Sequence, residues 1–274
     1  MGLSFTLEEN KRVNPSPDRR PILVTGASGR IGSYFLRHTA PRYAVSYMVR
    51  RAEKGTPLKK YGRMVVADLA DQDALAAACQ GVDTVVHLAG VPDPAAAWDK
   101  LLEANVIGTA NVFAAAKAAG CRRVVFASSI HAVSGYPGDV QVRTTEPVNP
   151  RDLYGVSKCF GEALGRFYAE QQDLSVIVLR IGAFQKRSGV RRAAALDVME
   201  SFVSRRDLTA LIVRCIDDET LRFAIFHGLS NNRFKRLDIS DARELIGYAP
   251  QDDFTNENVL LKPLKLAKTA RAGR

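Results

Sequence analysis

Val24-Thr25-Gly26-Ala27-Ser28-Gly29-Arg30-Ile31-Gly32 joins a short apolar run, Ile22–Thr25, to a helical stretch, Ile31–His38. Three glycines in GxxGxxG spacing let the chain turn tightly, let its backbone approach a ligand, and let a helix pack hard on a sheet. The helix start that follows offers free N–H groups and a partial positive charge, which suits a diphosphate. Glycine-rich turns also arise for steric reasons alone, so the strand–turn–helix context gives the motif its meaning. Gly26, Ser28, Gly29, Arg30, Ile31 and Gly32 are therefore candidate contacts to a dinucleotide.

The same alternation continues outward. Val45–Val49 and Met64–Ala67 repeat the strand signal, and Asp71 is placed to cap a helix over Ala74–Cys79. Thr84–Leu88 is another apolar run. A long helix is expected over 95–119, ended by Gly120. Arg123–Ala127 and Leu174–Arg180 read as buried strands separated by a helix over Tyr154–Gln171. Short apolar strands alternating with helices demand a parallel sheet covered on both faces. The fold class is therefore α/β, a doubly wound parallel Rossmann sheet with a small C-terminal substrate-side region. After about residue 181 the alternation fades into helical pieces (Ala193–Val203, Asp207–Ile216), a strand at Phe223–His227 and a capped helix from Ser240. The resulting division is a polar arm at 1–20, a Rossmann core at 21–180, a substrate-side region at 181–261 and a basic tail at 262–274.

Composition narrows the class. The 274 residues are 46% hydrophobic and 25% charged, ordinary for a folded chain with a sizeable core. The net charge of +10 invites a nucleic-acid reading, but five of those charges (Lys262, Lys265, Lys268, Arg271, Arg274) lie in the last thirteen residues. A basic end of that kind reads as a solvated tail, so no nucleic-acid partner is expected. No apolar run approaches the roughly 20 residues that span a bilayer, and the first residues lack the apolar stretch of a secretory signal. Cys79, Cys121, Cys159 and Cys215 form no CxxC pair, and the four histidines show no metal-ligand spacing. The expectation is a cytoplasmic protein without a metal or a membrane partner.

Six pieces in order carry a resemblance: TGASGRIG (25–32), ADLAD (67–71), HLAG (87–90), NVIGTANVF (105–113), VFASSIHAVSG (125–135) and YGVSK (154–158). Over residues 21–250 the chain resembles the extended short-chain dehydrogenase/reductase superfamily. That resemblance implies that Asp68 and Leu69 lie beside the adenine, that Leu88, Ala89 and Gly90 line the cofactor, and that Asn105 supports the site from its helix. Ile181 is a further implied cofactor contact. Taken singly, Asp68 also reads as a helix cap and Asn105 as a satisfied helix polar group.

Val49-Arg50-Arg51 stands where NAD enzymes place a carboxylate for the adenosine 2′-hydroxyl. A guanidinium there can hold a 2′-phosphate, so Arg50 and Arg51 favour NADP over NAD; otherwise the pair is a solvated loop. Tyr154 and Lys158, four apart at a helix start, share one face. A free tyrosine titrates at about 10, and a neighbouring ammonium is expected to lower that value. An isolated YxxxK is weak, but here it lies 25 residues beyond Ser129, as in the superfamily. The resemblance implies catalysis by Ser129, Tyr154 and Lys158, with Ser129 orienting the substrate oxygen and Lys158 reaching the nicotinamide ribose.

YGVSKCFGE (154–162), FASS-x-H (126–131) and LRIGAF (179–184) resemble bacterial uronate dehydrogenases, which oxidise the C1 hydroxyl of a cyclic hexuronic acid. That resemblance makes Ser129, Ile130, His131, Ala183 and Arg192 substrate candidates, with Arg191 the neighbouring alternative. A core-facing histidine and a solvated arginine run are the competing readings. The chain also departs from that group. Pro92, Ile130 and Ala183 are apolar where the group has polar contacts, Arg50 replaces its carboxylate, and a short extra segment follows Arg192. Oxidation of a uronate or aldose at C1 leads, and an NADP-dependent dehydrogenase of another alcohol competes. A sugar-nucleotide epimerase/dehydratase and a non-catalytic NADP-sensing regulator stay open. The first usually has a longer C-terminal part, and the second commonly loses the tyrosine. The superfamily's helix pairing implies a homodimer through 95–119 and 152–171, where Ala110, Ala114, Ala115, Ala118 and Ala163 permit close approach.

Overall fold

Seven parallel strands form one sheet in the order β3-β2-β1-β4-β5-β6-β9. They are β1 (Pro21–Thr25), β2 (Ala44–Val49), β3 (Arg63–Val66), β4 (Thr84–His87), β5 (Arg123–Ser129), β6 (Ser175–Ile181) and β9 (Phe223–Gly228). This computed structural model describes residues 19–265. Most of the polar arm and the end of the basic tail, 1–18 and 266–274, lie outside the described residues. Strand side chains alternate between two faces, and both faces are covered. Ile22 and Val24 of β1 join one apolar cluster, with Phe35, Leu36, Leu179 and Phe226. Leu23 joins the opposite one, with Val85, Phe113 and Val124. That is why the central strands read as unbroken apolar runs. The doubly wound parallel sheet is as expected.

Between the strands lie α1 (Arg30–Thr39), the single turn α2 (Ala52–Gly55), α3 (Gln72–Cys79), α4 (Trp98–Leu101), α5 (Gly108–Ala118) and α6 (Leu153–Gln171). Asp71 caps α3 as expected, its carboxylate accepting from Ala74 N at 2.9 Å. Gly120 adopts φ +71 just past α5. The helix expected from residue 95 begins instead at Trp98, and its middle, Leu102–Ile107, is π-helical. Such a bulge inserts a residue, and this one carries Asn105 towards the sheet edge.

Beyond β6 the structure corrects one element. Ala193–Val198 forms a 3₁₀ turn, and the chain then extends as β8 (Phe202–Ser204), so no helix runs through Val203. β8 pairs with β7 (Ala183–Gln185) in a separate two-stranded sheet that begins one residue after β6 ends. Both strands have only three residues, too few for a periodic signal. The region is completed by α7 (Arg205–Asp217), α8 (Ser240–Ile246) and α9 (Phe254–Glu257). β9 returns to the main sheet beside β6.

Strand order reverses between β1 and β4, whose C-terminal residues Thr25 and His87 lie in register. Ligands of open parallel sheets bind in the crevice outside such a switch point. The glycine turn, the loop through Gly90 and Ser129 lie at the carboxyl ends of β1, β4 and β5 respectively.

Candidate active site

The glycine-rich turn builds the floor. Gly26 sits at φ +66, and a Cβ there would lie 2.7 Å from Ala89 N, so only glycine allows β1 and β4 to leave the sheet this close together. Gly29 is the N-cap of α1 and offers no side-chain cap, and the first turn of α1 carries no acidic residue. Its amides are left to an outside anion, which is what a diphosphate-binding helix start requires. Arg30 does not cap that turn; its guanidinium donates to the carbonyl of Phe184 at 2.7 Å and so ties α1 to β7. Ser28 is exposed and Ile31 partly buried on the same turn.

A buried polar chain supports the second wall. Ala89 N donates to Thr25 Oγ1 at 3.2 Å, Thr25 Oγ1 meets His87 Nδ1 at 2.8 Å, and His87 Nε2 meets Thr109 Oγ1 at 3.3 Å. Burial, then the Lys158 charge, pushes the His87 imidazole down to about 3. It is therefore neutral and relays a hydrogen bond from the loop after β4 to α5. The sequence placed no role on His87; its position between two threonines distant in the chain gives no local signal.

Leu88, Ala89 and Gly90 follow β4 directly. Gly90 has φ +154, and a Cβ on it would lie 2.8 Å from Asn105 Oδ1 and 3.7 Å from Lys158 Nζ. Asn105 is buried and fully used: Oδ1 accepts from Val91 N at 2.7 Å, and Nδ2 donates to Val91 O at 3.1 Å and Ser157 Oγ at 3.0 Å. It staples this loop to α6, which is the satisfied helix polar group of the two readings.

Ser129, Tyr154 and Lys158 come together at the end of β5 and the start of α6, all buried. Asp152 caps α6 by accepting from Gly155 N at 2.7 Å. Lys158 Nζ donates to Ala127 O at 2.9 Å and lies 5.7 Å from the centroid of the Tyr154 ring. Burial lowers the Lys158 pKa to about 8, with Glu162 acting in the opposite direction. One expectation is corrected. Burial raises the Tyr154 phenol above its ordinary value, and the group that pulls it back is the Ser129 hydroxyl rather than Lys158. The reason is that the ring lies inside the wall, while Nζ is turned to the β5 carbonyl.

Behind the tyrosine, Glu162 accepts from Ser128 Oγ at 2.5 Å and pairs with Arg180 at 2.8 Å, both ends of the ion pair nearly inaccessible. His131 stands on the open side, 5.3 Å from the Tyr154 ring and edge-on to it, with Nδ1 2.7 Å from Asp152 Oδ2. It is partly buried and bonded to the cap of α6, so it is not a core-facing histidine.

The other candidates are placed as follows. Ile181 is buried at the end of β6, Ala183 opens β7, and Ile130 follows Ser129 directly. Arg191 pairs with Glu257 at 3.5 Å, whereas Arg192 is exposed and meets no carboxylate among the described residues. Arg50 is exposed just beyond β2, and Arg51 pairs with Glu53 at 3.4 Å. Asp68 accepts from Ala70 N at 3.0 Å within its own turn, and the buried Leu69 presents its carbonyl to Asn111. Among the described residues no His, Cys, Asp and Glu cluster could hold a metal. No described helix is long and apolar enough to cross a membrane.

This geometry has known relatives. An NAD-dependent glucose-6-phosphate dehydrogenase of Haloferax volcanii is 36% identical over 85% of this chain and 94% of its own length. An L-arabinose 1-dehydrogenase (NAD(P)(+)) of the same organism is 35% identical over 85% and 96%. The crystal structure of uronate dehydrogenase from Agrobacterium tumefaciens superposes with a TM-score of 0.76 at 29% identity, covering 93% of this chain and 90% of that one. Residues 22–246 match the model of the NAD-dependent epimerase/dehydratase family, and the chain belongs to that family.

Proposed function

We propose that the protein is an NAD(P)-dependent sugar dehydrogenase that oxidises the C1 hydroxyl of a cyclic aldose or uronate, with Tyr154 as the acid/base. The observation that carries this reading is the convergence of Ser129, Tyr154 and Lys158 on one wall beside an uncapped, acid-free helix start. The residues fit a dinucleotide: the turn at Gly26–Gly32 would hold its diphosphate, the Gly90 loop would leave it space, and Lys158 would reach its ribose. The nicotinamide, when bound, supplies the hydride acceptor and, in its oxidised form, a positive charge near the phenol. Ser129 Oγ holds the reacting hydroxyl, and Tyr154 Oη takes its proton. Burial disfavours the phenolate, and the Ser129 hydroxyl is the group that offsets it.

A cavity of about 120 Å³ opens beside Ile130 and is bordered by Ser134, Asp197, Glu200, Ser201 and Arg236. Its rim lies next to Ile130, is not itself lined by Ser129, Tyr154 or Lys158, and offers polar groups that Pro92, Ile130 and Ala183 do not. Two carboxylates against one guanidinium, Arg236, on that rim favour a neutral aldose; Arg192, with no carboxylate partner among the described residues, favours an anionic one. Rates with L-arabinose, D-glucose 6-phosphate and D-glucuronate distinguish the two, and no turnover on any of them contradicts sugar oxidation.

NADP is the preferred cofactor on this reading, supported by an exposed Arg50 with no carboxylate partner among the described residues. A homodimer is also proposed. Leu153, Val156, Phe160 and Phe167 form an exposed apolar stripe along α6, and Trp98 and Ile107 are exposed on the neighbouring helices. Ala115, by contrast, is buried against its own sheet and cannot serve that contact. Light scattering at micromolar concentration tests this proposal, and a monomer mass contradicts it. Four free thiols support a reducing, cytoplasmic setting.

A further inference from the structure

Asp152 uses both oxygens. Oδ1 accepts from Gly155 N at 2.7 Å and so closes the first turn of α6, which carries Tyr154. Oδ2 lies 2.7 Å from His131 Nδ1. An ionised carboxylate can only accept, so the proton on a neutral His131 ring sits on Nδ1. That leaves Nε2, on the far side of the ring, as a lone-pair acceptor. Nε2 has no partner among the described residues, and the ring stands edge-on to Tyr154 with centroids 5.3 Å apart. The His131 backbone is fixed as well: its N–H donates to Ser129 Oγ at 3.2 Å, and its carbonyl accepts from Ser134 Oγ at 3.1 Å.

We infer that Asp152 is a positioning residue that sets the tautomer and direction of His131, so that Nε2 accepts a hydrogen bond from a substrate hydroxyl beside the one that reacts at Tyr154. The second half of this statement rests on the sugar-dehydrogenase reading; the tautomer does not. One carboxylate thus places both the acid/base helix and the histidine that reads the neighbouring hydroxyl. An error in either position shifts the other.

Asp152→Asn separates the two tasks. Asparagine is as good an N-cap as aspartate, and capping Gly155 N requires its oxygen to point there. Its NH₂ then faces His131 Nδ1, which must become the acceptor, and the ring proton moves to Nε2. Asp152→Ser keeps a cap but cannot reach the ring. The test is nitrogen NMR of the histidine-labelled protein at neutral pH, with His131→Gln used for assignment, and melting curves for all variants. The expected result is Nδ1–H in the wild type and Nε2–H in Asp152→Asn, with unchanged melting for the Asn and Ser variants. Nε2–H in the wild type, or identical His131 signals in both proteins, overturns the assignment. With whichever of L-arabinose, D-glucose 6-phosphate or D-glucuronate the wild type oxidises, Asp152→Asn raises KM roughly tenfold and leaves kcat within a few-fold, because the substrate hydroxyl must turn to accept from Nε2–H and its own proton loses its acceptor. An unchanged KM overturns the substrate contact. If none of the three is oxidised, the sugar reading fails and the substrate contact with it, while the NMR result stands by itself.

Discussion

Lys158 donates through Nζ to the carbonyl of Ala127 at 2.9 Å, so its ammonium hangs between the start of α6 and the end of β5. Burial lowers its pKa to about 8. The charged form is therefore present below about pH 8 and lost above it, and the ribose contact proposed for it follows the same curve. Dissociation constants for NADP, measured by fluorescence titration between pH 7 and 9.5, should weaken with rising pH in the wild type. In Lys158→Met they should be weaker at pH 7 and nearly flat. A flat wild-type curve sinks the proposed contact.

Gly90 tests the cradle without touching the acid/base group. An added Cβ would lie 2.8 Å from Asn105 Oδ1, in a backbone conformation that L side chains avoid. Gly90→Ala should lower stability by about 1–3 kcal/mol and weaken cofactor binding at least tenfold, since the loop must move. A variant with wild-type melting and affinity would show that the loop does not border the cofactor.

His87 and His227 are buried neutral, at about 3 and about 4, with burial the first cause in both. Their folded pKa values lie below the unfolded value of about 6.5, so the unfolded chain binds more protons as pH falls. The stability they contribute is present above about pH 6.5 and lost progressively towards pH 3. Urea unfolding from pH 7 down to 4.5 should show falling stability, with a shallower slope in His87→Gln. Equal slopes would mean that His87 is not held neutral.

The glycine turn, Asp71, Tyr154 and Lys158 were legible because each belongs to a local pattern: a turn, a cap, one helical face. The link from His131 to Asp152 was not, because it joins residues 21 apart in the chain through a folded corner. Nor was the Ser128–Glu162–Arg180 group, which reads as three unrelated polar residues on three elements. The π-helical turn at Asn105 has the same periodic composition as an ordinary helix. The strand at Phe202–Ser204 is three residues long and owes its existence to pairing with Ala183–Gln185. The raised phenol of Tyr154 could not be read either, since burial is a property of the packed wall.

On the proposed reading Arg50 sets a preference for NADP. A charge-assisted contact to the 2′-phosphate is worth about 1.5–3 kcal/mol, or roughly ten- to a hundredfold in affinity. Arg50→Asp should invert the preference with little change in kcat, and salt should weaken NADP binding more than NAD binding. Equal affinities of the wild type for the two cofactors, or tighter NAD, would remove this assignment.

The central claim is that Tyr154 moves the substrate proton while the rest of the wall holds cofactor and alcohol. Its most direct measurement pairs two readings on wild type and Tyr154→Phe: the rate of reduced-nicotinamide formation with the preferred sugar, and the dissociation constant of the cofactor. Removing one hydroxyl leaves the ring, its edge-on contact with His131 and the Lys158 bond in place. Turnover should fall by at least a hundredfold, in line with the typical worth of general acid–base catalysis, while cofactor affinity stays within a few-fold. A Phe variant that keeps more than a few per cent of wild-type kcat would contradict the account.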